Sequence, residues 1–287
     1  MKKEGPSYGI ALMILSVVAF AIMATLVKTM AHVSAFVTVF VRFSVGIGIL
    51  GILALFKKIN LKFVRSPLLL LRGISGAISV TLFYFAIVEI GMGKGSVYSY
   101  SYPVFASLLS ALILKEKVST AKWLFIFTAF IGIVLVAFNV SSKGGFNFNI
   151  GDILAICSAL TNAISILLVK KLHDTDDSYA IFFAQSIIGF WIFIIPANTP
   201  ELTGTVSASY VLILIGIFSA MAQLLNTEGY RHVSIATGSP FHMLIPVVNV
   251  AIGVLLFQEK FNMLEMIGAS IVVLSCLGIM RLNALKR

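Results

Sequence analysis

The chain has 287 residues, 59% hydrophobic and 11% charged, against about 25% charged in an ordinary water-soluble domain. This excludes a water-soluble enzyme, a disordered chain and a nucleic-acid binder, because the net charge of +10 comes from Lys and Arg lying between apolar segments and not from one solvated basic face. At about 20 apolar residues per crossing of a ~30 Å hydrocarbon core, the length holds about ten spans.

The apolar runs predict spans over residues 8–28, 34–56, 67–89, 95–114, 121–139, 150–170, 178–197, 208–229, 234–257 and 263–281. Inside a bilayer each backbone polar group needs an internal partner, so runs of this length and apolarity form helices and not barrel strands. The first run follows Lys2 and Lys3, exceeds a signal-peptide core in length and carries no A-x-A cleavage pattern, so it is kept as a span. Arg42 lies about eight residues into the second run. Tyr84 falls in the third, and Tyr98, Tyr100, Tyr102 and Pro103 in the fourth. The sixth holds Asn162, the seventh Gln185 and Ser186, the eighth Gln223 and Asn226, and the ninth His242, Pro246 and Asn249. Cys157 and Cys276 sit inside apolar runs, without disulfide or metal-ligand spacing, and read as small buried hydrophobes.

With the N-terminus in the cytoplasm, the short loops and helix ends on that side carry sixteen Lys and Arg, Arg72 among them, against four on the other side. The bias predicts a multi-pass protein of the cell membrane with both termini cytoplasmic.

The chain also repeats itself. Gly95, Pro103, Glu116 and Lys117 match Gly238, Pro246, Glu259 and Lys260 at an offset of 143, and Gly73 and Ala77 match Gly216 and Ala220. At an offset of 142, Gly9, Ser16 and Lys28 match Gly151, Ser158 and Lys170. Each half, residues 1–145 and 146–287, holds five spans. An odd number turns the second half upside down, an arrangement common in secondary transporters. The expected fold is an all-α membrane protein of ten transmembrane helices in two inverted five-helix repeats.

The stretches Gly95 to Lys117 (GSVYSYSYPVFASLLSALILKEK) and Gly238 to Lys260 (GSPFHMLIPVVNVAIGVLLFQEK) resemble the two EamA domains of the drug/metabolite transporter superfamily. Each has a small residue, a mid-helix Pro, a Glu at the helix end and a last helix with a Gly, here Gly132 and Gly268. The Val-Arg-Phe at 41–43 resembles that family's second-helix Arg. The resemblance implies transport by alternating access around a cavity lined by the first four helices of each half.

Candidate substrate-binding residues are Arg42, Tyr84, Tyr98, Tyr102, Asn162, Gln185, Asn226 and His242. Arg42 either anchors a carboxylate or phosphate, or snorkels to the interface or pairs with a helix-end carbonyl. On one continuous helix Tyr98 and Tyr102 share a face while Tyr100 points elsewhere. Gly95, Pro103, Gly238 and Pro246 are candidate kink and gating positions, since a mid-helix Pro deletes one hydrogen bond. Gly46, Gly48 and Gly51 allow close helix approach. Glu89 and Glu228 can meet Lys94 and Arg231, and Glu116 and Glu259 cap the fourth and ninth helices. Gly91 to Ser96 (GMGKGS) lacks phosphate-loop spacing.

No acid falls between Ile10 and Val27 or between Ile153 and Val169, against the embedded Glu of small multidrug exporters. The expected function is secondary transport of a small anionic or zwitterionic metabolite, amino acid-like, nucleoside-like or of S-adenosyl type. The alternatives are a proton-coupled multidrug or cation exporter, and an enzyme acting on lipid-linked substrates around Glu228, Arg231 and His232. No cofactor, metal or nucleic acid is expected. The expected partners are a small-molecule substrate and the lipid bilayer, with the chain a monomer or homodimer.

Overall fold

The computed structural model describes residues 6–57, 59, 66–113, 119–137, 149–199, 209–232, 241–242 and 244–285, and all regular structure among them is helical. The helices are α1 (Pro6–Thr29), α2 (Ala35–Leu55), α3 (Pro67–Ile90), α4 (Met92–Ser99), α5 (Tyr102–Ile113) and α6 (Thr120–Ala137), then α7 (Ile150–Leu172), α8 (Ser178–Asn198), α9 (Ser209–His232), α10 (Leu244–Phe257) and α11 (Met263–Leu285). They make ten membrane segments, because α4 and α5 are the two parts of the fourth. Six helices, α1, α2, α3, α7, α8 and α9, are long and apolar enough to cross a bilayer; Trp123–Val136, Leu244–Phe257 and Met263–Ile279 are shorter apolar stretches. Leu15, Val18, Phe127, Trp191, Ile195 and Leu255 stand exposed on the outside of the bundle, as side chains facing lipid do. Cys157 is exposed and Cys276 buried, so the expectation of burial fails for Cys157, on the outward face of α7.

Helix starts follow from local chemistry. Ser34 accepts from Phe36 N at 3.3 Å, Ser66 from Leu69 N at 3.1 Å, and Asp177 from Ala180 N at 2.7 Å. Each meets one of the backbone donors a helix start leaves free. Asn262 and Glu265 cap α11 reciprocally at 2.8 Å.

The packed pairs come in sets that exchange when the halves are swapped. α1 lies on α9 as α3 lies on α7, α2 meets α9 as α8 meets α3, and α2–α8 and α6–α11 each map onto themselves. Glycines mark the close crossings. A Cβ on Gly73 would strike Ile188 and come within 2.7 Å of Ala184 O, and one on Gly216 would lie 2.6 Å from Val45 Cβ; Ile188 and Val45 are themselves 143 residues apart. Gly46 and Gly189 repeat this relation across α2 and α8. Gly132 and Gly268 face one another across α6 and α11, where a Cβ on either would lie 2.8 Å or less from the other's carbonyl oxygen. Gly48 and Gly51 meet nothing within 4 Å, so of the three second-span glycines only Gly46 serves close approach.

The fourth segment departs from expectation. It breaks at Tyr100 and Ser101, and Pro103 falls in the first turn of α5, where its missing N–H leaves no bond unmade. Pro103 therefore opens a helix and does not kink one. Pro246 is the third residue of α10. Gly95 sits in α4 against the α3 backbone, 3.4 Å from Ile87 N to an added Cβ. Gly238 and Glu116 lie outside the described residues.

The Glu259 carboxylate, expected to cap its own helix, serves another. It reaches the start of α4 and accepts from Met92 N at 2.8 Å and Gly93 N at 3.0 Å, with Lys28 Nζ at 3.7 Å. Gly91 makes this turn at φ +88°, and any side chain there would run into the Glu259 carboxylate. Lys94 meets Glu265 and not Glu89, which is exposed. Lys94 leaves the start of α4 toward the first turn of α11, a contact between elements remote in the chain.

Candidate functional site

Between the halves lies a cavity of about 70 Å³. α2 and α3 bring Arg42 and Arg72 to it, α7 brings Ser158, Asn162 and Ser165, and α8 and α9 bring Gln185, Gln223 and Asn226. Phe20, Phe83, Tyr100 and His242 supply the aromatic part of the wall. No Asp or Glu lines it among the described residues.

Arg42 is 4% exposed, which excludes snorkelling to the interface. Its Nη1 donates to the Tyr84 hydroxyl at 3.3 Å, and its guanidinium carbon lies 5.5 Å from the Tyr84 ring centroid. The Tyr84 hydroxyl in turn shares a 2.9 Å hydrogen bond with Ser219. Tyr84 thus holds Arg42 from behind and is not itself in the wall. Arg72, assigned above to a loop flank, is 3% exposed and donates from Nη2 to Gln185 Oε1 at 3.0 Å. Arg42 is therefore not the sole charge deep in a span. The pattern Pro67-Leu-Leu-Leu-Leu-Arg72 carried the signal, since it starts the helix five residues before the arginine.

Arg42, Asn162, Gln185, Asn226 and His242 come together at the cavity, while Tyr84, Tyr98 and Tyr102 stand outside its wall. The Tyr102 hydroxyl lies 3.3 Å from that of Tyr230 and 3.4 Å from His242 Nδ1, behind the lining. Tyr98 is fully buried on α4. Tyr100 takes the lining role because the helix breaks at this residue, so the even spacing of the three tyrosines does not place Tyr98 and Tyr102 on one cavity face. His242 sits edge-on to Phe20 and Tyr230, with ring centroids 6.2 and 5.8 Å away. Asn249 is turned to Ser96, donating to its hydroxyl at 2.6 Å and joining α10 to α4.

Helices of the two halves, interleaved through small residues around a buried polar cavity, make a multi-pass membrane transporter. The chain belongs to the EamA-like transporter family, which it matches over residues 7–138 and again over 149–281. It is 24% identical over 284 residues to the pseudopaline exporter of Pseudomonas aeruginosa, covering 95% of this chain and 96% of that one. It is 28% identical over 210 residues to the riboflavin transporter of Vibrio cholerae, covering 72% and 68%. To the S-adenosylmethionine uptake transporter of Rickettsia bellii it is 22% identical, covering 93% and 91%. A solved crystal structure shares the fold at a TM-score of 0.64 over 98% of both chains, with 16% identity.

Proposed function

We propose that the chain is a secondary transporter of a small organic anion or zwitterion, working by alternating access in the cell membrane with both termini cytoplasmic. The observation that carries this reading is the charge of the cavity wall: two arginines and no carboxylate among the described lining residues. A cationic drug would meet repulsion there, and the small multidrug mechanism would lack its embedded acid. The cavity is smaller than the roughly 300 Å³ at which ligand pockets begin, so entry of a metabolite requires the halves to part. One cavity between the two halves, residues 1–145 and 146–287, makes a monomer a sufficient working unit, alone or within a homodimer.

The enzyme alternative rests on Glu228, Arg231 and His232. Glu228 accepts from Ser178 at 2.7 Å and stands 3.0 Å from His232 and 3.7 Å from Arg231, a network that ties α9 to the start of α8. We read it as structural, and the protein as a transporter without enzymatic activity.

The test is a thermal-shift screen of the detergent-purified protein against riboflavin, S-adenosylmethionine, amino acids, nucleotides, organic acids and quaternary ammonium drugs. Hits are then assayed for uptake into proteoliposomes. A native-state ligand stabilises by RT ln(1 + [L]/Kd). Stabilisation by an anionic or zwitterionic compound, lost in Arg42→Gln, is expected. Stabilisation by cationic drugs alone would overturn the reading.

A further inference from the structure

The described salt bridges, Lys28–Glu259, Lys94–Glu265, Arg231–Glu228 and His232–Glu228, all involve residues outside the cavity wall. The two buried arginines stand apart from this pattern. Arg42 uses one guanidinium nitrogen on Tyr84 and leaves Nη2 without a partner; Arg72 uses Nη2 on Gln185 and leaves Nε and Nη1 without one. Neither faces a described carboxylate in the cavity, and their charges repel one another. Arginine keeps its charge in proteins, so neither can relieve this by losing a proton.

The two charges enter from opposite membrane faces. α2 and α3 are consecutive spans and run antiparallel. Arg42 is seven residues from the start of α2 and Arg72 five from the start of α3, about 10 Å and about 8 Å from opposite faces at 1.5 Å per residue. In a ~30 Å core their backbones therefore differ in depth by about 12 Å. Both side chains nonetheless reach one cavity, which Ser79, Ser158 and Asn162 also line.

We propose that the cavity takes a ligand with two separate anionic groups, carboxylate or phosphate, at its two ends: one held by Arg42 and the other by Arg72. Arg72 is then a second substrate anchor, and Gln185 and Tyr84 position the two forks. This rests on the anion-transport reading above and narrows it. A single anionic group shared by both arginines would need the two forks side by side. The Arg72 fork runs one turn along its own helix to Gly76, so the forks stand closer than their backbones; the separate tethers, Tyr84 for Arg42 and Gln185 for Arg72, hold them at different points of the wall and favour an elongated dianion.

The test uses the full chain in detergent and straight-chain dicarboxylates from succinate to adipate, each against the monocarboxylate of equal length at matched ionic strength. Melting temperature is read against concentration. At least one dicarboxylate is expected to reach its half-effect at about tenfold lower concentration than its monocarboxylate. Arg42→Gln and Arg72→Gln should each abolish that preference while eluting as folded protein, and Arg72→Lys, which keeps the charge, should restore part of it. Equal action of the paired acids on the wild type, survival of the preference in Arg72→Gln, or no stabilisation by any member of the series would each overturn the proposal. Equal, Arg42-dependent stabilisation by mono- and dicarboxylates would overturn the dianion and leave anion transport standing. Stabilisation by cationic drugs alone would overturn both.

Discussion

Arg72 donates its 3.0 Å hydrogen bond to Gln185, the residue that stands 143 positions after Arg42 and so holds in the second half the place Arg42 holds in the first. The two positions have diverged chemically. One carries the charge itself; the other carries the neutral amide that accepts from a charge on a neighbouring helix. An inverted pair of scaffolds thereby presents one arginine from each side of the membrane although the sequence of only one half supplies both.

Holding two unpaired guanidinium groups in a membrane interior opposes folding, since burial removes their hydration without returning an ion pair. Arg72→Gln should therefore melt higher than the wild type in the absence of ligand, by roughly 2–4 °C per kcal/mol of relief, while losing transport. Thermal melts and proteoliposome uptake on the same preparation check both halves of this expectation. A lower melting temperature in the variant would show that Arg72 is structural.

The glycines divide into those that do and do not carry a crossing. Gly132→Ala and Gly268→Ala place a Cβ against the facing backbone carbonyl, which cannot swing aside as a side-chain tip can. Each should lower stability by about 2 kcal/mol or more, and the double variant by less than the sum, since both open the same contact. Gly48→Ala meets open space and should raise stability by up to about 1 kcal/mol, the helix preference of Ala over Gly. Melting temperatures of the four variants decide the matter. Destabilisation by Gly48→Ala would contradict the assigned contacts.

The spans were legible because hydrocarbon imposes a length and leaves little choice of structure, and the inverted halves because Gly, Pro and Glu pairs recur at one offset. Five of the eight candidate binding residues lie in the cavity wall, since a polar side chain in an apolar span has few other places to go. What escaped the sequence were local events. Arg72 lies at the end of a basic stretch, where charge counting assigns it to the loop. Tyr100 faces the cavity because α4 ends there, and helical periodicity holds only within one helix. Lys94 joins Glu265 through a contact 171 residues distant, which no local spacing encodes.

Glu259 brings a carboxylate to two free amides at the start of α4, where the helix dipole favours negative charge. Glu259→Ala should cost about 1–2 kcal/mol, and Glu259→Gln less, because an amide oxygen still accepts. The Lys28 contact at 3.7 Å is partly exposed, so Lys28→Ala should cost under about 1 kcal/mol. α4 also carries Ser99 to the cavity, so Glu259→Ala should reduce the uptake rate as well as the melting temperature. Equal losses from Lys28→Ala and Glu259→Ala would assign the effect to the ion pair and not to the cap.

His173 stands just past the end of α7, and its Nε2 lies 3.1 Å from Thr227 O. Burial, the largest influence, holds its pKa below the ordinary 6.5, against the raising effects of the Thr227 carbonyl, Glu228 and Asp174, with Arg231 adding to the lowering. The folded protein thus binds this proton less readily than the unfolded chain. The stability contributed by the neutral ring is fully present above about pH 6.5 and is lost as pH falls toward the lowered folded value, where the loss levels off. Melting temperature should therefore decline as pH falls below about 6.5 more steeply in the wild type than in His173→Gln, whose amide keeps a donor for Thr227 and does not titrate. His232, beside Glu228 at 3.0 Å, is present in both proteins and cancels in the difference. Parallel pH profiles for wild type and variant would remove His173 as the source of acid sensitivity.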